Sequence, residues 1–123
     1  QSTKMAKREI LIVDDNPNMA SLLSEMLDVY DVKSRVTNDG ESALKLLDEE
    51  QFALVITDLK MPKMSGAELL AAIKGRHPET PVVVISGYNV GTSEGQVVSG
   101  LANGFIHKPF KMIDIQSVVE QFL

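Results

Sequence analysis

The chain has 123 residues, 44% of them hydrophobic, with a net charge of −5 and no cysteine. That size and apolar content suit one domain with a packed core rather than a disordered segment, and the acidic balance argues against this chain gripping nucleic acid itself. The missing cysteines exclude disulfides, thiolate metal sites and a cysteine nucleophile. The lack of cysteine fits a reducing cytoplasm; no apolar run reaches the ~18 residues of a membrane span, and no secretory signal is visible.

Residues 1–6 are polar and patternless, and read as a disordered tail or an appended remnant. Residues 7–123 are then the folded unit. Ile10-Leu11-Ile12-Val13 is short and β-branched, the mark of a buried strand. It stops at Asp14-Asp15. Asn16 offers a helix cap and Pro17 a first helical residue. Met19, Leu22, Leu23, Met26, Leu27 and Tyr30 then recur at helical spacing. Residues 32–36 form a weaker second strand. Asn38 and Glu41 have capping-box spacing before a helix with Ala43, Leu44, Leu46 and Leu47 inward.

Residues 53–57 are a third apolar strand, ending at Asp58. A loop with Pro62 follows. Ser65 and Glu68 form a clearer capping box, opening a helix with Leu69, Leu70 and Ile73 inward. Residues 82–85 are a fourth strand, ending at Ser86. Gly87, Gly91, Gly95, Gly100 and Gly104 weaken the helix expected over about 90–101, since each interior glycine costs ~1 kcal/mol relative to alanine. Phe105-Ile106-His107 is a short fifth strand, and Met112, Ile115, Val119 and Phe122 mark a fifth helix.

Five strand–helix units predict an α/β fold, (βα)₅. Strands joined by helical crossovers run parallel, and the crossovers are right-handed, giving a doubly wound three-layer sandwich. Ligands in such sheets bind outside the carboxyl ends of the strands. Strand one delivers Asp14 and Asp15 there, strand three Asp58, strand four Ser86 and strand five Lys108. Three carboxylates held close repel one another and call for a proton or a cation. Mg²⁺ suits them, with Mn²⁺ as a substitute, because it takes oxygen ligands and needs only one or two carboxylates beside water and phosphate. Asp15 and Asp58 would ligate directly, Asp14 through water, and the Lys60 backbone carbonyl is a further donor. Asp58 would then be a carboxylate nucleophile forming an aspartyl phosphate, with Lys108 offsetting charge from the other side.

Asp14-Asp15, Asp58 with Met61-Pro62-x-Met64-Ser65-Gly66, Ser86-Gly87 and Lys108-Pro109-Phe110 together resemble the receiver domain of two-component response regulators, over about residues 7–123. The resemblance implies a flavodoxin-like sheet of order 2-1-3-4-5. It implies a phosphohistidine donor on a sensor kinase or phosphotransfer protein, and a cis Lys108–Pro109 bond. Ser86 would turn to a phosphoryl oxygen and Phe105 would rotate inward. The surface of the fourth helix, fifth strand and fifth helix would then change toward an output domain or partner, with homodimerisation also allowed. Lys60 and Tyr88, beside the phosphoryl position, are expected to tune the lifetime of the phosphorylated state.

Rival readings fit less well. An aspartyl-phosphate phosphohydrolase usually wants a second acid two residues after its nucleophile, where Lys60 stands. A nucleotide or flavin module needs free backbone amides after strand one, where Asp14-Asp15-Asn16-Pro17 is acidic. A phosphate-independent interaction domain has no use for the full acid set. Taken singly, Ser86 is a turn residue, Lys108 a surface lysine, Phe105 core, and His77 and His107 surface residues without metal spacing. The chain ends with the fifth helix, which leaves open a stand-alone protein, part of a longer regulator, or part of a hybrid kinase.

Overall fold

The structure is a computed structural model and describes residues 9–61, 63–87 and 100–123. The elements run β1 (Glu9–Val13), α1 (Pro17–Val29), β2 (Lys33–Thr37), α2 (Gly40–Glu49), β3 (Leu54–Asp58), α3 (Gly66–Arg76), β4 (Val82–Ser86), β5 (Gly104–His107) and a C-terminal helix, here α4 (Met112–Phe122). The helix expected over 90–101 lies outside the described residues except for Gly100 and Leu101, which are helical. Tyr88, Pro62 and the 1–6 tail also lie outside them.

All five strands are parallel, in the order β2-β1-β3-β4-β5. Strands β1, β3 and β4 read as near-continuous apolar runs because both of their faces are covered. Leu11, Val13, Val55, Val82 and Val84 pack with Ala43, Leu44 and Leu47 of α2 and Leu69, Leu70 and Ile73 of α3. Ile10, Ile12, Leu54, Ile56, Val83 and Ile85 pack with Ala20, Leu23 and Leu27 of α1 and Ile115 and Val118 of α4. Alternate side chains of β1, β3 and β4 therefore feed two cores, one per face. Strand order reverses between β1 and β3, and β1 and β3 carry the acids at their carboxyl ends.

Local signals set the helix starts. Asn16 caps α1, accepting from the amides of Asn18 and Met19, with Pro17 at the first helical position. The Ser65–Glu68 box is fully formed: Glu68 N–H donates to Ser65 Oγ at 3.2 Å and Ser65 N–H to Glu68 Oε1 at 2.9 Å. Helix α2 departs from the expected cap. Asp39, not Asn38, is the N-cap, and its carboxylate accepts from the Ser42 amide at 2.8 Å. Asp and Asn cap equally well, so the end of β2 at Thr37 selects between neighbours, and Glu41 falls one place short of the box position.

One apolar residue also sits differently. Leu22 is 45% exposed, while small Ala20 fills the core-facing position. On edge strand β2, Val36 is 40% exposed and the buried valine is Val32, just before the strand. In α4, the expected Ile115, Val119 and Phe122 pack on the core, and Val118 is buried with them. Four of the methionines (Met19, Met26, Met61 and Met64) are partly buried against the two cores. His107 is exposed, and His77 bonds Asp48 through Nε2 at 2.8 Å, joining Arg76 in tying α3 to α2.

Candidate functional site

Asp14 extends β1 by one residue: its N–H donates to the Thr37 carbonyl at 3.1 Å. That hold turns its side chain into the rim of the sheet, where it is only 2% exposed. Its Oδ1 accepts the Asn16 amide at 2.9 Å. Asp15, the next residue, is exposed. On the neighbouring strand, Asp58 closes β3, and Lys60 N–H reaches back to its Oδ1 at 3.3 Å. Lys108 follows β5 directly; its amide donates to the Ser86 carbonyl at 3.0 Å. Its ammonium lies 3.2 Å from Asp58 Oδ2. The Lys108–Pro109 peptide is cis.

A carboxylate oxygen from each of Asp14, Asp15 and Asp58 lies within 4.8 Å of the others. Three acids thus face one ammonium. Burial pushes the Asp14 carboxyl above its ordinary value of 3.8; the Asn16 amide and Lys108 pull it back, and the charges of Asp58 and Asp15 push it further. The site therefore pays repulsion that a bound cation relieves. The donors are all hard oxygens, one buried and one open to water, which fits a partly hydrated Mg²⁺ and not a soft metal.

Ser86 ends β4 and is 5% exposed. Phe105 lies in β5 opposite Val84, half-buried and packed against the α2–α3 core. Lys60 is exposed, two residues beyond Asp58. Tyr88 lies outside the described residues. Two contributors escape sequence reasoning. One is the Asn16 backbone amide, which carries no side-chain signal. The other is Thr57, whose hydroxyl donates to the Asp58 carbonyl at 3.0 Å. Beside Lys108, an apolar groove of about 400 Å³ is lined by Met19, Leu22, Pro109 and Phe110.

Among known proteins, the family model for the response regulator receiver domain matches residues 10–120. The response regulator protein PilR of Pseudomonas aeruginosa is 33% identical over 115 residues, covering 94% of this chain and 26% of its own length. The chain thus spans about a quarter of that relative. The receiver domain of NtrX from Brucella abortus superposes with a TM-score of 0.83 at 35% identity, covering 93% of this chain and 97% of that one. The response regulator TrrA of Thermotoga maritima, solved in complex with Mg²⁺-BeF, superposes with a TM-score of 0.85 at 29% identity, covering 94% of this chain and 99% of that one. By fold and by sequence, the chain belongs to the response regulator receiver domain family.

Proposed function

We propose that Asp58 accepts a phosphoryl group from a phosphohistidine on a sensor kinase or phosphotransfer protein, in a Mg²⁺-dependent reaction. The observation that carries this reading is the convergence of Asp14, Asp15 and Asp58 around the Lys108–Asp58 pair at one rim of the sheet. An Asp58 oxygen attacks phosphorus, the P–N bond to the donor imidazole breaks, and an acyl phosphate remains on Asp58. Lys108 offers a fixed positive charge to the phosphoryl oxygens as they arrive. Asp14, Asp15, Asp58 and the Lys60 carbonyl would hold the metal, whose charge offsets that of the phosphoryl group. The Mg²⁺-BeF complex of TrrA supports that assignment by likeness.

The rest of the reading follows from the same chemistry. The domain is a switch and turns over no outside substrate beyond its phosphodonor. The Ser86 hydroxyl turns to the phosphoryl group, Phe105 packs inward, and the surface formed by the 90–101 segment, β5 and α4 changes toward an output domain, a target or a second copy. The phosphate shifts this equilibrium only by its differential affinity for the two states. Lys60 and Tyr88 set how readily water reaches the acyl phosphate. The phosphodonor protein docks along the Met19–Leu22–Phe110 groove, which Lys108 also lines and where Leu22 is 45% exposed. Residues 7–123 act as one domain, in the cytoplasm, with 1–6 outside it.

The direct test is incubation with acetyl phosphate and Mg²⁺, read by intact mass. One phosphoryl group should be added to the protein and none to Asp58→Asn. Equal labelling of both would remove Asp58 as the acceptor.

A further inference from the structure

Helix α3 starts closer to Asp58 than any side chain would allow. A Cβ on Gly66, the first residue of α3, would fall 2.6 Å from Leu59 Cα and 2.9 Å from the Leu59 carbonyl oxygen, and would also clash with the Asp58 carbonyl oxygen. All three are backbone atoms of the segment that carries Asp58, so none can swing aside as a side-chain tip would. That segment is held on its other sides too. Leu59 N–H donates to the Ile85 carbonyl at 3.0 Å, and Gly66 N–H donates to the Leu59 carbonyl at 2.8 Å. The Asp58 backbone is therefore gripped between β4 and the first turn of α3. Among the described residues, the other glycines carry no such load. A Cβ on Gly40 would meet the flexible Met64 side chain, and one on Gly75 would meet nothing within 4 Å.

We propose that Gly66 is a positioning residue for the phosphorylation of Asp58: its bare Cα lets α3 bear directly on the Asp58–Leu59 backbone and sets where the Asp58 carboxylate stands relative to Asp14, Asp15 and Lys108. This rests on Asp58 being the phosphoacceptor. A methyl group at 66 has two ways out. Moving α3 would disturb its capping box and the fully buried Leu69, Leu70 and Ile73. Moving the end of β3 shifts Leu59 and, with it, the Asp58 carboxylate. Either way the backbone that carries the reacting group changes its place relative to its neighbours.

The test uses the 123-residue chain and four variants: Gly66→Ala, Ala67→Gly, Gly75→Ala and the double Gly66→Ala/Gly75→Ala. Melting temperature, phosphorylation rate with acetyl phosphate and Mg²⁺, and backbone amide spectra in EDTA are measured for each. Gly66→Ala should be phosphorylated at least about tenfold more slowly, since a misplacement of about 1 Å can cost about a hundredfold. Its Leu59 and Lys60 amide resonances should move even without metal. Adding Gly75→Ala should raise the melting temperature and leave the rate low. Ala67→Gly should lose stability and keep the normal rate. The inference is overturned if Gly66→Ala reacts at the wild-type rate, or if its rate recovers with melting temperature in the double variant. Failure to fold in both backgrounds also overturns it, since the glycine would then serve the fold alone. A wild-type chain left unmodified by acetyl phosphate would instead remove the phosphoacceptor reading, and this inference with it.

Discussion

The Lys108 ammonium, presented from the end of β5, stands 3.2 Å from Asp58 Oδ2 at the end of β3, across the intervening strand β4. The pair spans 50 positions in sequence and exists only because the parallel sheet brings both strand ends to one rim. With side chains 32% and 11% exposed, it is partly shielded from water, so its charges act more strongly than a surface pair.

Replacing Lys108 by methionine keeps the aliphatic stem and removes the charge. Phosphorylation by acetyl phosphate should slow by about a hundredfold, the usual cost of losing one positioned electrostatic donor. Rates from intact-mass time courses check this, with circular dichroism confirming the fold. An unchanged rate would assign Lys108 to structure alone.

Asp14→Asn should stabilise the metal-free protein and weaken its response to Mg²⁺. Burial raises the Asp14 pKa in the folded state, so the folded protein holds this proton more tightly than the unfolded chain does. Ionised Asp14 therefore costs stability above its folded pKa, and that cost fades as pH falls toward the unfolded value of 3.8. In EDTA near neutral pH, urea melts should show the variant more stable by about 1 kcal/mol. The difference should close below pH 3.8, and Mg²⁺ should stabilise the wild type more than the variant.

Asp39→Ala should behave with the opposite sign. The Ser42 amide holds the Asp39 carboxyl below its ordinary value, so its stabilising effect is present above pH 3.8 and is lost as pH falls through the lower folded value. Losing this cap should cost about 1 kcal/mol near neutral pH. Equal melts of wild type and variant at pH 7 would show that α2 does not depend on it.

Leu22→Glu separates docking from chemistry. Leu22 is 45% exposed, so stability should change by no more than about 0.5 kcal/mol. Phosphorylation by acetyl phosphate should be unchanged, while transfer from a phosphohistidine protein should slow several-fold. Equal effects on both donors would place the groove outside the docking surface.

Much of this arrangement was legible in the sequence. A strand buried on both faces must be apolar along its length, so Asp14, Asp58 and Ser86, standing where such runs stop, mark the rim. The Ser65–Glu68 box was readable because its two partners lie within one turn. The Asp39 cap was not, because adjacent Asn38 and Asp39 are chemically alike and the choice depends on where β2 ends. Leu22 was misplaced because helical spacing gives a stripe but not its centre. Ala20 shows that the space against the sheet, fixed by tertiary packing, decides which side chain fits. The close approach of Gly66 to Asp58 is also tertiary; in the sequence it is one glycine at a helix start.

Borohydride reduction after phosphorylation tests the proposed chemistry most directly, because it converts an aspartyl phosphate to homoserine at the modified position. The peptide spanning β3 should carry homoserine at residue 58, only when Mg²⁺ was present, and in no other acidic position. Phosphoryl groups that resist reduction, that map to a serine or histidine, or that appear equally in EDTA would contradict Asp58 as a metal-assisted nucleophile.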